Sequence, residues 1–190
     1  MEFCSRNDRI IRLWSAQHNL KVTSHSTLTG AAGQHYVLCQ LLRHGWVAAL
    51  APEGVPHVDI IVTDSKANRQ CAIQVKTRSG KGHDKGWHMK AKHEKLVSKT
   101  LFYCFVDFGD DSPTTYVIPA KVVASKIRLS HEIWLHKRGK NNRKHKDNPI
   151  RRLLPDYSIT IKNLSPKELK VLGPGWIEQY REKWNILRMK

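Results

Sequence analysis

The chain has 190 residues, and its 33 lysines and arginines outnumber its 16 aspartates and glutamates, which gives a formal net charge of +17. This length suits one domain with extensions. No stretch approaches the roughly 20 consecutive apolar residues that span a bilayer, so we expect no membrane partner. The charge favours a polyanion and predicts binding that weakens steeply with salt. The four cysteines form no C-x-x-C pair, which predicts free thiols and a reducing, cytoplasmic location.

The first predicted core element is a helix. Residues 1–28 are polar and basic and are interpreted as an N-terminal appendage. Between Thr29 and His44, Val37 and Leu41 belong to an apolar stripe at helical spacing. Gly45 follows, where a left-handed C-terminal cap is expected. The sequence therefore predicts a helix that enters the core over 29–44.

Three strands are predicted after this helix, over 46–51, 58–64 and 71–77, with a hairpin turn between the second and the third. A basic helical segment is predicted over 87–99. The almost continuous apolar run LFYCFVDF at 101–108 predicts a central strand covered on both faces. A further strand, TTYVIP, and a short helix follow. The order predicts an α/β fold with a central mixed sheet flanked by helices, and a core over 29–135.

The last third of the chain is predicted to surround this core. Between Lys137 and Arg152 there are eight basic residues and one acidic residue, so 136–155 is interpreted as a basic loop. Residues 156–190 are interpreted as a C-terminal helical extension. It has a capping box that begins at Ser165, and its last helix should pack Trp176 and Trp184 onto the core.

Polar residues interrupt the third predicted strand at Gln74 and Lys76, which share one face because strand side chains alternate. A hairpin with the preceding strand brings Asp59 close to both. Gln34 is in phase with the apolar stripe of the first helix and requires a polar partner there. A carboxylate, an amide and an ammonium group are therefore predicted to converge.

The motifs G-A-A-G-Q on the helix, V-D at the head of one strand and Q-V-K on the next resemble those of the PD-(D/E)XK nuclease superfamily. The D…QxK variant is similar to Mrr-like restriction endonucleases and archaeal Holliday-junction resolvases. The resemblance covers roughly residues 29–120. It implies a restriction-endonuclease-like core and a metal-dependent endonuclease that hydrolyses DNA phosphodiester bonds.

The resemblance also implies a role for each matching residue. Asp59 would anchor Mg²⁺ or Mn²⁺, with the Gln74 amide oxygen and the Val75 carbonyl as further ligands. Lys76 would hold or activate the attacking water, and Gln34 would orient a water on the metal. Mg²⁺ is usually held by only one or two carboxylates together with waters and substrate phosphates, which agrees with this set.

Glutamine at both 34 and 74 leaves Asp59 as the one certain acid of the motif. Glu53, which precedes Asp59 in the same segment of the sequence, is the nearest candidate for a second carboxylate ligand. One alternative is therefore a catalytically silent PD-(D/E)XK-fold module that binds nucleic acid without cutting it. Another is a basic RNA-associated protein in which the motif is accidental.

The predicted partner is DNA rather than RNA, and a homodimer is possible. His83, His88 and His93 are interpreted as solvated histidines of a basic surface, because their spacing fits no helix face. The residues predicted to contact phosphates are Arg78, Lys81, Lys85, Lys90, Lys137, Arg138, Lys140, Arg143 and Lys144.

Overall fold

The computed structural model describes residues 25–79, 85–110, 112–139 and 142–188. Most of the predicted appendage lies outside these ranges, as do Lys81, His83 and Lys140. Within the described part of the chain, no helix is long and apolar enough to cross a membrane.

The first described helix, α1 (His25–Arg43), buries Gly33, Val37 and Leu41, which confirms the predicted apolar stripe. The helix is already formed at His25, before the predicted boundary. Gly45 has a φ of +80°, as the predicted left-handed cap requires.

One mixed sheet forms the centre of the fold, in the spatial order β1-β2-β3-β5-β6. Its strands are β1 (Val47–Leu50), β2 (Ile60–Thr63), β3 (Gln70–Arg78), β5 (Leu101–Asp107) and β6 (Thr114–Pro119). Strands β1, β2 and β3 form the predicted antiparallel meander. Strand β5 lies parallel to β3 and antiparallel to β6. The prediction of a mixed central sheet with a buried middle strand at 101–108 is confirmed.

Two predictions for the basic segments are wrong. The segment predicted as a helix begins with strand β4 (Trp87–Lys90), followed by a short 3₁₀ helix, Ala91–Lys95. The predicted loop 136–155 contains strand β7 (Ile150–Leu153), which pairs antiparallel with β4. Trp87 and Leu153 are both buried, and they anchor this pair of strands in the core. The many basic residues around them made the apolar positions of these strands hard to recognise in the sequence.

Helix α2 (Ala120–His136) is longer than the short helix predicted there. In the tail, α3 (Pro166–Leu172) has the predicted capping box at Ser165. The predicted last helix is instead two 3₁₀ turns, Glu178–Tyr180 and Trp184–Arg188. Trp176 and Trp184 are nevertheless buried, so the predicted docking onto the core is confirmed.

The sheet separates two hydrophobic clusters, because alternate residues of each strand point to opposite faces. Helix α1 packs on one face, where Val37 and Leu41 join Ile73, Val75 and Phe102. Helix α2, β4, β7 and the tail cover the other face, which takes Tyr103 and Phe105 from β5. The sheet is therefore flanked by helices on both sides, as predicted.

Candidate active site

The β2–β3 hairpin brings Asp59 beside Gln74. Ile60 and Ile73 are paired residues, and the Asp59 N–H donates to the Ile73 carbonyl at 2.8 Å. Because Ile60 and Ile73 point into the α1 cluster, their neighbours Asp59 and Gln74 point to the opposite face. One oxygen of the Asp59 carboxylate, Oδ2, accepts the backbone N–H of Val75 at 2.6 Å. No hydrogen bond from the described residues reaches the other oxygen, Oδ1.

Gln74 and Tyr103 are neighbours across the parallel β3–β5 pair. Both side chains are enclosed, with Gln74 8% exposed and Tyr103 0% exposed. Among the described residues, neither Gln74 Oε1 nor the Tyr103 hydroxyl has a hydrogen-bond partner. A buried oxygen without a hydrogen bond lowers the stability of the fold by about 1–3 kcal/mol. These two oxygens therefore need a bound ligand or a change in conformation that gives them partners.

Lys76 lies on the same face of β3 as Gln74. Its pKa is lowered mainly by burial, an effect that the Asp59 carboxylate opposes and that Lys92 and Lys90 reinforce. The same carboxylate adds to the effect of burial in raising the pKa of Tyr103. Asp59, Gln74, Lys76 and Tyr103 therefore lie within electrostatic range of one another on one face of the sheet.

His93 forms one wall of this cleft, which the sequence did not reveal. His93 is buried, not solvated as predicted, and its Nδ1 accepts the Lys90 N–H at 2.9 Å. Its ring lies edge-on to Tyr103 at 6.2 Å and to His57 at 5.9 Å between centroids. Burial, together with nearby Lys76, lowers the pKa of His93 to about 4. Burial also lowers the pKa of His57, as do Lys92 and Lys76. Both imidazoles are thus held in the neutral form.

Of three further predicted residues, Gln34 and Glu53 stand apart from this group, whereas Val75 contacts it through its backbone. Gln34 is half-buried on α1, whose stripe packs on the opposite face of β3 from Gln74, and no hydrogen bond within the described ranges joins it to the cleft. Glu53 is exposed in the loop before β2. Val75 is bound to Asp59 through its N–H, whereas the prediction invoked its carbonyl. Their assigned roles stay predictions.

The predicted phosphate contacts divide into two kinds. Arg78 is engaged within the protein, because its guanidinium pairs with Asp107 and lies 5.0 Å from the Trp87 ring centroid. The Lys137 ammonium likewise donates to the Asn163 carbonyl at 2.7 Å. The exposed cations among the described predicted contacts are Lys85, Lys90, Arg138, Arg143 and Lys144.

A divalent ion would fit the oxygens of this cleft. Asp59 Oδ1 and the unpaired Gln74 Oε1 are hard ligands of the kind that Mg²⁺ and Mn²⁺ prefer. Only one carboxylate contributes, and the described ranges contain no cluster of three or more histidine, cysteine, aspartate or glutamate residues able to hold a metal. Such an ion would need waters or substrate oxygens to complete its ligand set.

A separate cavity of about 230 Å³ lies between α2 and β7, lined by residues such as Trp134, Arg151 and Tyr157. None of the predicted catalytic residues lines it. The Arg151 guanidinium also pairs with Glu94, next to His93. Arg151 thus links the lining of the cavity to the 3₁₀ helix that carries His93.

No family model and no curated protein matches this chain. Two solved structures are similar to it. A bacterial homing endonuclease has a TM-score of 0.49 and 17% identity, covering 87% of this chain and 94% of its own. A Holliday junction resolvase from the archaeal hyperthermophile Archaeoglobus fulgidus has a TM-score of 0.41 and 12% identity, covering 66% of this chain and 83% of its own.

Proposed function

We propose that the protein is a metal-dependent endonuclease that hydrolyses DNA phosphodiester bonds, with Asp59, Gln74 and Lys76 at its active site. The observation that supports this most is that the three residues lie on one face of the β2–β3 hairpin, where Gln74 Oε1 is buried and has no hydrogen-bond partner among the described residues. An aspartate and an amide oxygen can ligate a divalent cation, and a lysine can stabilise charge on a phosphate, which are tasks that metal-dependent hydrolysis of a phosphodiester requires.

Each group has a distinct task in this proposal. Asp59 and Gln74 would hold Mg²⁺ or Mn²⁺, which would supply charge stabilisation for the phosphate and lower the pKa of water. Lys76 places a positive charge beside the phosphate and orients the attacking water. Burial lowers the pKa of the Lys76 ammonium, and the Asp59 carboxylate opposes this effect. The exposed Lys90 and Lys92 beside the cleft bind flanking phosphates.

The first test uses plasmid, linear and branched DNA, incubated with Mg²⁺, Mn²⁺ or EDTA. We expect cleavage only with metal. Asp59→Ala and Lys76→Ala should each reduce cleavage by roughly 10²- to 10³-fold or more, because each removes a group that acts on the reacting phosphate. Binding measured in EDTA should change little, since the charge that attracts DNA is spread over many residues.

Lys170→Ala is the matched control, because it removes one exposed lysine from α3, outside the cleft. Its cleavage rate should equal that of the wild type. Equal cutting by the wild type and by the Asp59 and Lys76 variants would refute the assignment. Gln74→Glu adds a second carboxylate and should preserve cleavage or lower the metal concentration that it requires.

A nucleic-acid-binding module without catalysis is the second candidate, and the single carboxylate of the cleft favours it. Such a module keeps its DNA affinity in EDTA and cuts nothing with either metal. In that case Gln74→Glu becomes the variant with which to restore cleavage. An absence of cutting by the wild type on every DNA structure would decide for this candidate.

A further inference from the structure

Gln74 poses a problem of orientation that a glutamate does not. A carboxylate has two equivalent oxygens, whereas a side-chain amide has one oxygen that can ligate a cation and one NH₂ group that repels it. Turning the amide over therefore replaces a ligand with a donor. A site that relies on Gln74 needs a neighbour that selects one of the two orientations.

Tyr103 is placed to make that selection. It is the residue that pairs with Gln74 across β3 and β5, so the two side chains lie next to each other on one face of the sheet. The hydroxyl of Tyr103 is a donor without a partner, and Gln74 Oε1 is an acceptor without one, among the described residues. An amide oxygen has two lone pairs, so it can accept one hydrogen bond and still ligate an ion.

We propose that Tyr103 is a positioning residue, whose hydroxyl donates to Gln74 Oε1 when the site is loaded and so directs that oxygen, rather than the NH₂ group, toward the cation beside Asp59. This inference rests on the proposed metal-dependent function. It assigns a role to a residue outside the D…QxK motif.

The surroundings of Tyr103 hold its ring in place. Phe105 stacks on it, with centroids 5.6 Å apart and an interplanar angle of 14°, and His93 contacts it edge-on at 84°. Burial and the Asp59 carboxylate both raise the pKa of the hydroxyl, so it remains a protonated donor at neutral pH. Because the side chain is 0% exposed, the hydroxyl acts through Gln74 and not by touching DNA.

The test measures Mn²⁺ affinity of the full chain by titration calorimetry, without DNA. Tyr103→Phe removes only the hydroxyl and should weaken Mn²⁺ binding by about 10-fold or more, the usual effect of losing a group that orients a ligand. In the Gln74→Glu background the same substitution should leave the affinity unchanged, because either carboxylate oxygen ligates equally well. This loss of effect distinguishes orientation from general damage to the cleft.

Tyr157→Phe is the matched control, since Tyr157 is also buried but its hydroxyl donates to the Arg152 carbonyl, away from the cleft. It should not alter Mn²⁺ affinity. Urea unfolding of each variant shows whether the fold is retained. Unchanged Mn²⁺ affinity in Tyr103→Phe, or the same loss in both backgrounds, overturns the positioning role alone. A wild type that binds no Mn²⁺ overturns the metal-dependent function as well.

Discussion

The two faces of β3 differ sharply, although they belong to one strand. Ile73 and Val75 face α1 in a continuous apolar layer. Gln74 and Lys76, which alternate with them, face a cleft that a 3₁₀ helix closes at one side. Helix α2 covers the far half of that face, over β5 and β6, and leaves the β2–β3 end to shorter elements. The candidate site thus occupies the part of the sheet where the helical layer stops.

The largest expected contrast comes from neighbouring residues on these two faces. Ile73→Ala should reduce the free energy of unfolding by about 2–5 kcal/mol, since Ile73 is 0% exposed and its removal leaves a cavity. Gln74→Leu should instead raise it by about 1 kcal/mol in EDTA, because it removes a buried oxygen that lacks a partner. Urea unfolding of both variants measures the contrast. Similar losses in the two variants would show that the faces are packed alike.

A slightly smaller change in the free energy of unfolding is expected when the pH is lowered. The folded chain protonates His93 only near pH 4, against its usual 6.5, so between these values the unfolded chain binds more protons. This contribution to stability is present above pH 6.5 and is lost as pH falls to about 4, by about 2–3 kcal/mol. His93→Gln should flatten that dependence in urea unfolding at several pH values. Met89→Leu, a non-titrating change in buried β4, should alter stability equally at all of them.

The smallest effect tests how closely α1 approaches β3. A Cβ at Gly33 would lie 1.8 Å from Thr77 Oγ1 and 2.8 Å from its Cβ. Gly33→Ala should therefore cost about 1–2 kcal/mol, although alanine favours a helix. Adding Thr77→Ala removes Oγ1 but keeps the Cβ at 2.8 Å, so it should recover only part of this loss. Gly30→Ala on the same helix meets no atom within 4 Å and should stabilise the protein by up to about 1 kcal/mol, as thermal unfolding would show.

The β2–β3 part of the sheet could be predicted because polar and apolar residues alternate along β3. In CAIQVKT the polar residues fall on one face and the apolar residues on the other, and a short turn joins this strand to VDIIV. The local pattern therefore predicted the antiparallel hairpin of β2 and β3, which is confirmed. The left-handed conformation of Gly45 could also be predicted from the sequence, because glycine commonly ends a helix in this conformation.

Contacts between residues distant in sequence escaped prediction. Tyr103 became a neighbour of Gln74 through a parallel pairing whose register no turn determines. His93 was misread because Trp87–Lys99 has basic and apolar residues in an order that suits a helix as well as a strand. The first four residues of this segment form strand β4 because they pair with β7, which lies far along the chain.

The pairing of Trp87 with Leu153 also sets the order in which the site is completed during synthesis. Asp59, Gln74 and Lys76 leave the ribosome together and can form their hairpin early. The 3₁₀ helix that carries His93 is held by β4, and β4 gains its partner only after β7 has emerged. Long-range pairing is slow compared with local pairing. A nascent chain that extends past Lys76 but ends before Ile150 therefore contains every residue of the proposed motif but lacks the strand that supports its wall.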